Sequence, residues 1–248
     1  LGNTKAGGRE ESMEDFWVLM VAHGWALALL RGSAVTIAIG LLGMLLGFVV
    51  ATPLAILRWQ KVVLVSQLVD AYSILIRGIP GLLVIYLLFY GSLDWVRTVA
   101  GTFGYEQAAE NAYPMIVGVI AIAAISCAYS IEVIRGALQA VPAGMLEAAR
   151  SLALPRMVTF FRITFPLALR LALGGINNVW QMTIKDTSLI SVVGLQELMR
   201  TAAIAAGITR SPLFFYCIAA ALFFAMTLAS QTAFSRIERV LNRGFGGM

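Results

Sequence analysis

Long apolar runs alternate with short charged segments along this chain, and the run lengths are those of membrane helices. A helix needs about 20 apolar residues to cross a bilayer. Residues 33–57, 111–131 and 211–235 run for 25, 21 and 25 positions without an Asp, Glu, Lys or Arg. Two further runs are interrupted. Residues 62–93 carry Asp70, Arg77 and the breaker Arg77-Gly78-Ile79-Pro80-Gly81; residues 167–193 carry Arg170 and the adjacent pair Lys185-Asp186. The pattern predicts five spans and an all-α integral membrane fold. One transmembrane domain is expected over residues 13–243, with a tail at 244–248. Residues 1–12 are polar and glycine-rich, begin with leucine and precede Met13, which would serve as a natural start. They are expected to be disordered or foreign to the native chain and are set aside. The first long apolar run begins only after Arg31, so no cleavable signal peptide is read.

Composition agrees: 60% of residues are hydrophobic and 12% charged, against about 25% charged in an ordinary soluble domain. The net charge of +5 would suggest nucleic acid on a soluble protein. Here the basic residues lie between apolar runs, so they report topology and no nucleic-acid partner is expected. Cys127 and Cys217 fall inside apolar runs without metal-ligand spacing, and neither a disulfide nor a metal site is read.

The charges choose an orientation. Arg58, Lys61, Arg135, Arg150, Arg156, Arg162, Arg170, Arg236, Arg239 and Arg243 fall on one side, against Glu147 and Glu238. The other side carries Lys5, Arg9, Arg31, Arg97, Arg200 and Arg210 against eight acidic residues. The basic side should be cytoplasmic, which puts the N-terminus in the periplasm and the C-terminus in the cytoplasm of a bacterial inner membrane. Asp70, Arg77, Glu132, Lys185 and Asp186 are left at membrane depth. Arg77, Glu132, Lys185 and Asp186 are candidates for a translocation pathway, while Asp70, near the cytoplasmic end of its span, is read as structural. Each also has a structural explanation: Arg77 binding carbonyls freed by the Gly78–Pro80 break, Glu132 pairing with Arg135 at i, i+3. Lys185 and Asp186 diverge by about 100° on a helix, so at least one needs another partner or water. Asp186 could meet the ammonium of an amino acid and Arg77 its carboxylate. Gly40, Gly43 and Gly47 on the first span, and Ala221, Ala225 and Ala229 on the last, are expected to let helices approach closely.

The most informative stretch is not a span. Residues 135–166 are basic and amphipathic. Pro142 suits the first turn of a short helix over 143–152. Met145, Ala149 and Leu152 follow at i, i+4, i+7 as one apolar stripe, and Glu147 and Arg150 can pair at i, i+3. Leu154-Pro155 ends this helix and starts another. Such a helix either offers a knob to a soluble partner or lies on lipid headgroups.

Glu147-Ala148-Ala149, three residues, Ala153, nine residues, Ile163, one residue, Phe165-Pro166 resembles the EAA loop of bacterial ABC importer permeases. Ala153 stands where that family has glycine and Phe165 where it has leucine. Glycine suits a turn of positive φ, so Ala153 implies either a different turn or about 1 kcal/mol of strain. Tyr72–Gly91 (YSILIRGIPGLLVIYLLFYG), Ala128–Gly136 (AYSIEVIRG) and Lys185–Leu189 (KDTSL), followed by Ser191-Val192-Val193-Gly194, resemble segments of the polar amino-acid branch, which carries histidine, glutamine, arginine or opines. The similarity covers residues 27–243.

The resemblance implies a type I importer fold in which Met145, Glu147, Ala148, Ala149, Leu152 and Ala153 form a coupling helix on an ATP-binding cassette subunit. It also implies a second permease subunit, identical or paralogous, and a periplasmic solute-binding protein. ATP and Mg are expected on the partner ATPase and no cofactor in this chain, which has no GxxxxGK[ST] phosphate loop and is not expected to be an enzyme. Two rival functions make different demands. An intramembrane enzyme would need a nucleophile and base or metal ligands, and the single histidine, His23, is remote from any serine that could serve. A passive channel would not need a cytoplasmic docking helix.

Overall fold

The computed structural model describes Met20, residues 24–104 and residues 106–241. The expectations placed on residues 1–12, Met13, His23, Arg243 and the 244–248 tail lie outside them. The described elements are α1 (Trp25–Trp59), α2 (Val63–Gly78), α3 (Gly81–Thr102), α4 (Glu106–Gln139), α5 (Ala143–Ser151), α6 (Arg156–Thr159), a π turn (Phe160–Thr164), α7 (Phe165–Asp186), a 3-10 segment (Thr187–Val193), α8 (Leu198–Thr209) and α9 (Pro212–Leu241).

Five helical stretches are long and apolar enough to cross a membrane, as the run lengths predict. The second differs from expectation. Residues 62–93 do not form one interrupted span; they divide into α2 and the start of α3, and α3 runs on through residues expected to be a loop. Pro80 has no N–H to continue the ladder, and it forces the preceding Ile79 into extended backbone (φ −110°, ψ 151°). The membrane-length helix is therefore Gly81–Thr102. The two helices still make one crossing. α1 and α4 run parallel, since a Cβ added at Gly43 would sit 2.9 Å from the Ile122 Cβ and one at Gly47 would sit 2.7 Å from the Ala123 carbonyl oxygen. The chain between two parallel spans must cross back once.

Those contacts explain the glycines of α1: a side chain at either position would drive α1 off α4. Gly40 has ordinary space, 3.7 Å from the Trp180 ring. The alanine ladder behaves otherwise. Ala221, Ala225 and Ala229 are exposed on α9 among the described residues. The helices bury three successive apolar layers. Ala51, Ala55, Val69, Ile131, Ile134 and Leu138 fill the end nearest α5; Ile39, Ile85, Ile122 and Ile190 fill the middle; Leu29, Leu198, Ala202 and Phe215 fill the end beneath α8.

Candidate functional site

The short helix expected in the amphipathic segment is α5, Ala143–Ser151, with Leu152 as its C-cap rather than its last residue. Its two faces do not divide as the stripe predicts. Ala149 is 2% exposed and Leu146 packs into the layer of Ile131, Ile134 and Leu138, whereas Leu152 is 73% exposed. Met145 is half-buried between them. The stripe spacing ignored that residue 152 lies past the last helical turn, where the chain has already bent. The outward face is Glu147, Ala148, Leu152 and Ala153. Among the described residues Glu147 and Arg150 form no ion pair; both side chains stand in solvent.

The turn after α5 carries the strain expected of Ala153, whose φ is 53°. The Ala153 N–H donates to the Arg150 carbonyl at 2.9 Å and the Leu154 N–H to the Ala149 carbonyl at 3.1 Å. This paired closure is the usual way a helix ends on a left-handed residue, normally glycine. Beyond it, Pro166 offers no N–H to the Arg162 carbonyl, and the ladder widens into the π turn Phe160–Thr164 before α7 begins. α5 is thus joined to α7 by a tight turn and an almost continuous helical rod.

The charges at membrane depth fall into two groups. The first is a hub around Glu132. Its Oε1 accepts from Arg58 at 2.6 Å and from Arg77 at 3.1 Å, and its Oε2 accepts from Arg135 at 3.1 Å. Arg58 also pairs with Asp70. The Arg77 Nε donates to the Ser73 carbonyl at 3.2 Å. The expected i, i+3 pair is therefore present. Arg58, one of the charges of the basic side, lies in the last turn of α1 and ties α1, α2 and α4 together. Its place in the last turn of a span, seven positions beyond the buried Ala51, was the signal available.

The second group is Lys185 and Asp186, at the end of α7. The structure does not bring Asp186 to Arg77 by any ion pair, and neither Lys185 nor Asp186 has a salt-bridge partner among the described residues. Lys185 is exposed and Asp186 half-buried. Their depth can be read from neighbours. A Cβ at Gly40, near the middle of the 35-residue α1, would lie 3.7 Å from Trp180 and 3.8 Å from Thr187, which flank the pair. Immediately after Asp186 the backbone changes to the 3-10 segment, and a Cβ at Gly81 would lie 3.6 Å from Leu189 in it. The break between α2 and α3 and the break after α7 thus meet at one level. Irregular backbone at membrane depth is tolerated against protein or a water-filled cavity.

Glu197 escaped the sequence reading, which counted it only as an outer charge. It is fully buried as the N-cap of α8. Its Oε1 accepts from the Arg200 N–H at 2.8 Å and its Oε2 from the Thr36 hydroxyl at 3.0 Å. The Thr36 oxygen in turn accepts from the Leu198 N–H at 3.2 Å, so the cap clamps α8 to α1. Burial pushes the Glu197 carboxyl up, and the Met199, Arg200 and Thr36 donors hold part of that rise back. A Glu just before a short apolar run was the available sign.

The model of the binding-protein-dependent transport system inner membrane component family matches residues 43–242. This chain belongs to that family. Members are multi-pass inner-membrane subunits, and the five apolar helices agree. The nopaline transport system permease protein NocQ of Agrobacterium fabrum is 40% identical over 222 residues, covering 89% of this chain and 94% of that protein. The histidine/lysine/arginine/ornithine transport system permease protein HisQ of Escherichia coli is 32% identical over 217 residues, covering 88% and 94%. Among solved structures, an amino acid ABC transporter crystallised with histidines is matched with a TM-score of 0.76 at 27% identity, over 89% of this chain and 97% of that one. An inward-facing MetNI methionine ABC transporter, at 18% identity and a TM-score of 0.69 over 87% and 96%, shares the fold.

Proposed function

We propose that this permease is the transmembrane subunit of an ATP-driven importer that carries a polar amino acid or an opine into the cytoplasm. The observation that carries the reading is α5: a helix fixed to the bundle through Leu146 and Ala149, with Leu152 held outward at 73% exposure, on a chain whose relatives are named as opine and amino-acid permeases. The EAA spacing that places Leu152 on this turn is what favours a protein partner over headgroups. In this reading ATP and Mg are bound and turned over by separate ATP-binding cassette subunits, which receive α5. A second permease subunit, a copy or a paralogue, completes the pathway, and a periplasmic binding protein delivers the substrate. The N-terminus is periplasmic and the C-terminus cytoplasmic. Asp186 lines the pathway, while Arg77 and Glu132 brace its wall through the hub.

Leu152→Asp and Glu147→Lys should leave the permease in the membrane and abolish uptake coupled to ATP hydrolysis. Ala149 is unsuitable for that test, because an aspartate there would break the chain's own packing. Asp186→Asn should impair uptake while the ATP-binding subunits still co-purify. Normal nucleotide-dependent uptake by all three variants would refute the reading.

A further inference from the structure

We propose that Lys185 is the carboxylate-binding residue of the pathway, taking the carboxylate of an α-amino-acid head whose ammonium meets Asp186. The inference rests on the importer reading above and sharpens its substrate site.

The hub decides against Arg77. Its guanidinium is already held by Glu132 and by the Ser73 carbonyl, and Glu132 is shared with Arg58 and Arg135. An arriving carboxylate would have to displace a carboxylate already in place. Lys185 forms no salt bridge among the described residues; the neighbouring Asp186 carboxylate acts on it only through space, and the Lys185 side chain is exposed at the level of Gly40. Snorkelling serves lysines near helix ends; the middle of a hydrocarbon core about 30 Å thick is roughly 15 Å from either surface. An ammonium at that depth must face water or an anion. The two backbone breaks meet beside it, and irregular backbone at that depth is tolerated against protein or a water-filled cavity.

The same face of α7 carries the exposed Met182 but also polar groups that lipid would not favour. Asn178, two turns before Lys185 and on the same side of α7, is exposed and makes no hydrogen bond among the described residues. Gln181, between them, donates to Asn177 at 3.3 Å and to Ser230 at 3.5 Å, while its Oε1 is buried without a partner. The adjacency of Lys185 and Asp186 now has a use. An α-amino acid carries carboxylate and ammonium on one carbon, and Lys185 and Asp186, adjacent in the chain but about 100° apart around the helix, can each take one of the two groups without pairing with each other. An N-substituted head of the opine kind keeps both charges. What differs between such substrates lies beyond the head, where Asn178 and Gln181 stand.

A lysine in the last turn of α7 could instead serve only the helix end, by offsetting its carbonyl dipoles. That role does not depend on a carboxylate in the ligand, so the test removes the carboxylate from both sides. Equilibrium binding of radiolabelled octopine, nopaline and arginine is measured on the purified complex with its partner permease and ATPase subunits, without binding protein. Argininamide, which lacks the carboxylate, is the competitor. The wild type should bind at least one of the three and strongly prefer arginine over argininamide. Lys185→Gln should weaken the carboxylate ligands about tenfold, leave argininamide unchanged and erase the preference, and Lys185→Arg should restore most of it. If Lys185→Gln does not assemble, Lys185→Arg carries the test: a change in arginine affinity that argininamide does not share supports the assignment, and an equal change in both overturns it. A glutamine variant with the wild-type preference overturns the assignment and leaves the importer reading standing. A wild type that binds none of the ligands overturns both.

Discussion

Glu132 and Glu197 are carboxylates withdrawn from water in different ways. Glu132 is met by three guanidinium groups, and only the Arg135 contact was legible in the sequence, because it alone is local at i, i+3. Arg58 and Arg77 arrive from other helices, and no spacing rule reports a tertiary contact. Glu197 forms no ion pair among the described residues; it is met by backbone N–H groups and one hydroxyl. Its raised pKa means that folding favours the neutral form. Its contribution to stability is full below the ordinary carboxylate range and is lost as pH rises through the raised value. The wild-type complex in detergent should therefore lose thermal stability as pH is raised from about 5 to about 8, and Glu197→Gln should flatten that dependence. An equal slope in both proteins would exclude Glu197 as its source.

At the scale of elements, the runs at 33–57, 111–131 and 211–235 announced their helices, because length in apolar residues is all a span requires. Their ends were not visible: α1 and α4 reach 35 and 34 residues by continuing through charged turns. The existence and place of α5 were legible from Pro142 and the EAA spacing, but its faces were not. A strict i, i+4, i+7 count assumes the helix persists, and it stops before Leu152. The turn that stops it yields a stability prediction. Releasing the left-handed strain at Ala153, less the chain entropy of a glycine, should make Ala153→Gly more stable by about 0.5–1 kcal/mol. Thermal unfolding of the two proteins in the same detergent measures it. A destabilised glycine variant would mean that the φ of 53° carries no strain.

Over the whole molecule, the span count and the parallel course of α1 and α4 fit a chain that starts on one side of the membrane and ends on the other. Which side is which rests on the basic residues alone, since no contact inside a bundle distinguishes its two surfaces. In intact cells a cysteine placed at Thr102 should react with a membrane-impermeant reagent, and one placed at Gln60 should be protected. The reverse pattern would invert the topology. The depth of Lys185 and Asp186 was legible from the run they interrupt. That neither forms a salt bridge among the described residues was not, because no spacing rule reports which tertiary partners are taken, as Arg58, Arg77 and Arg135 are by Glu132.

The turn at Ala153 also bears on the history of the chain. Every alanine codon becomes a glycine codon by one base change, so the relaxed turn has always been a single mutation away. Mutational access therefore does not explain why alanine stands there. A library of random single-base changes, selected for survival of the membrane complex at rising temperature, should recover glycine at this position early.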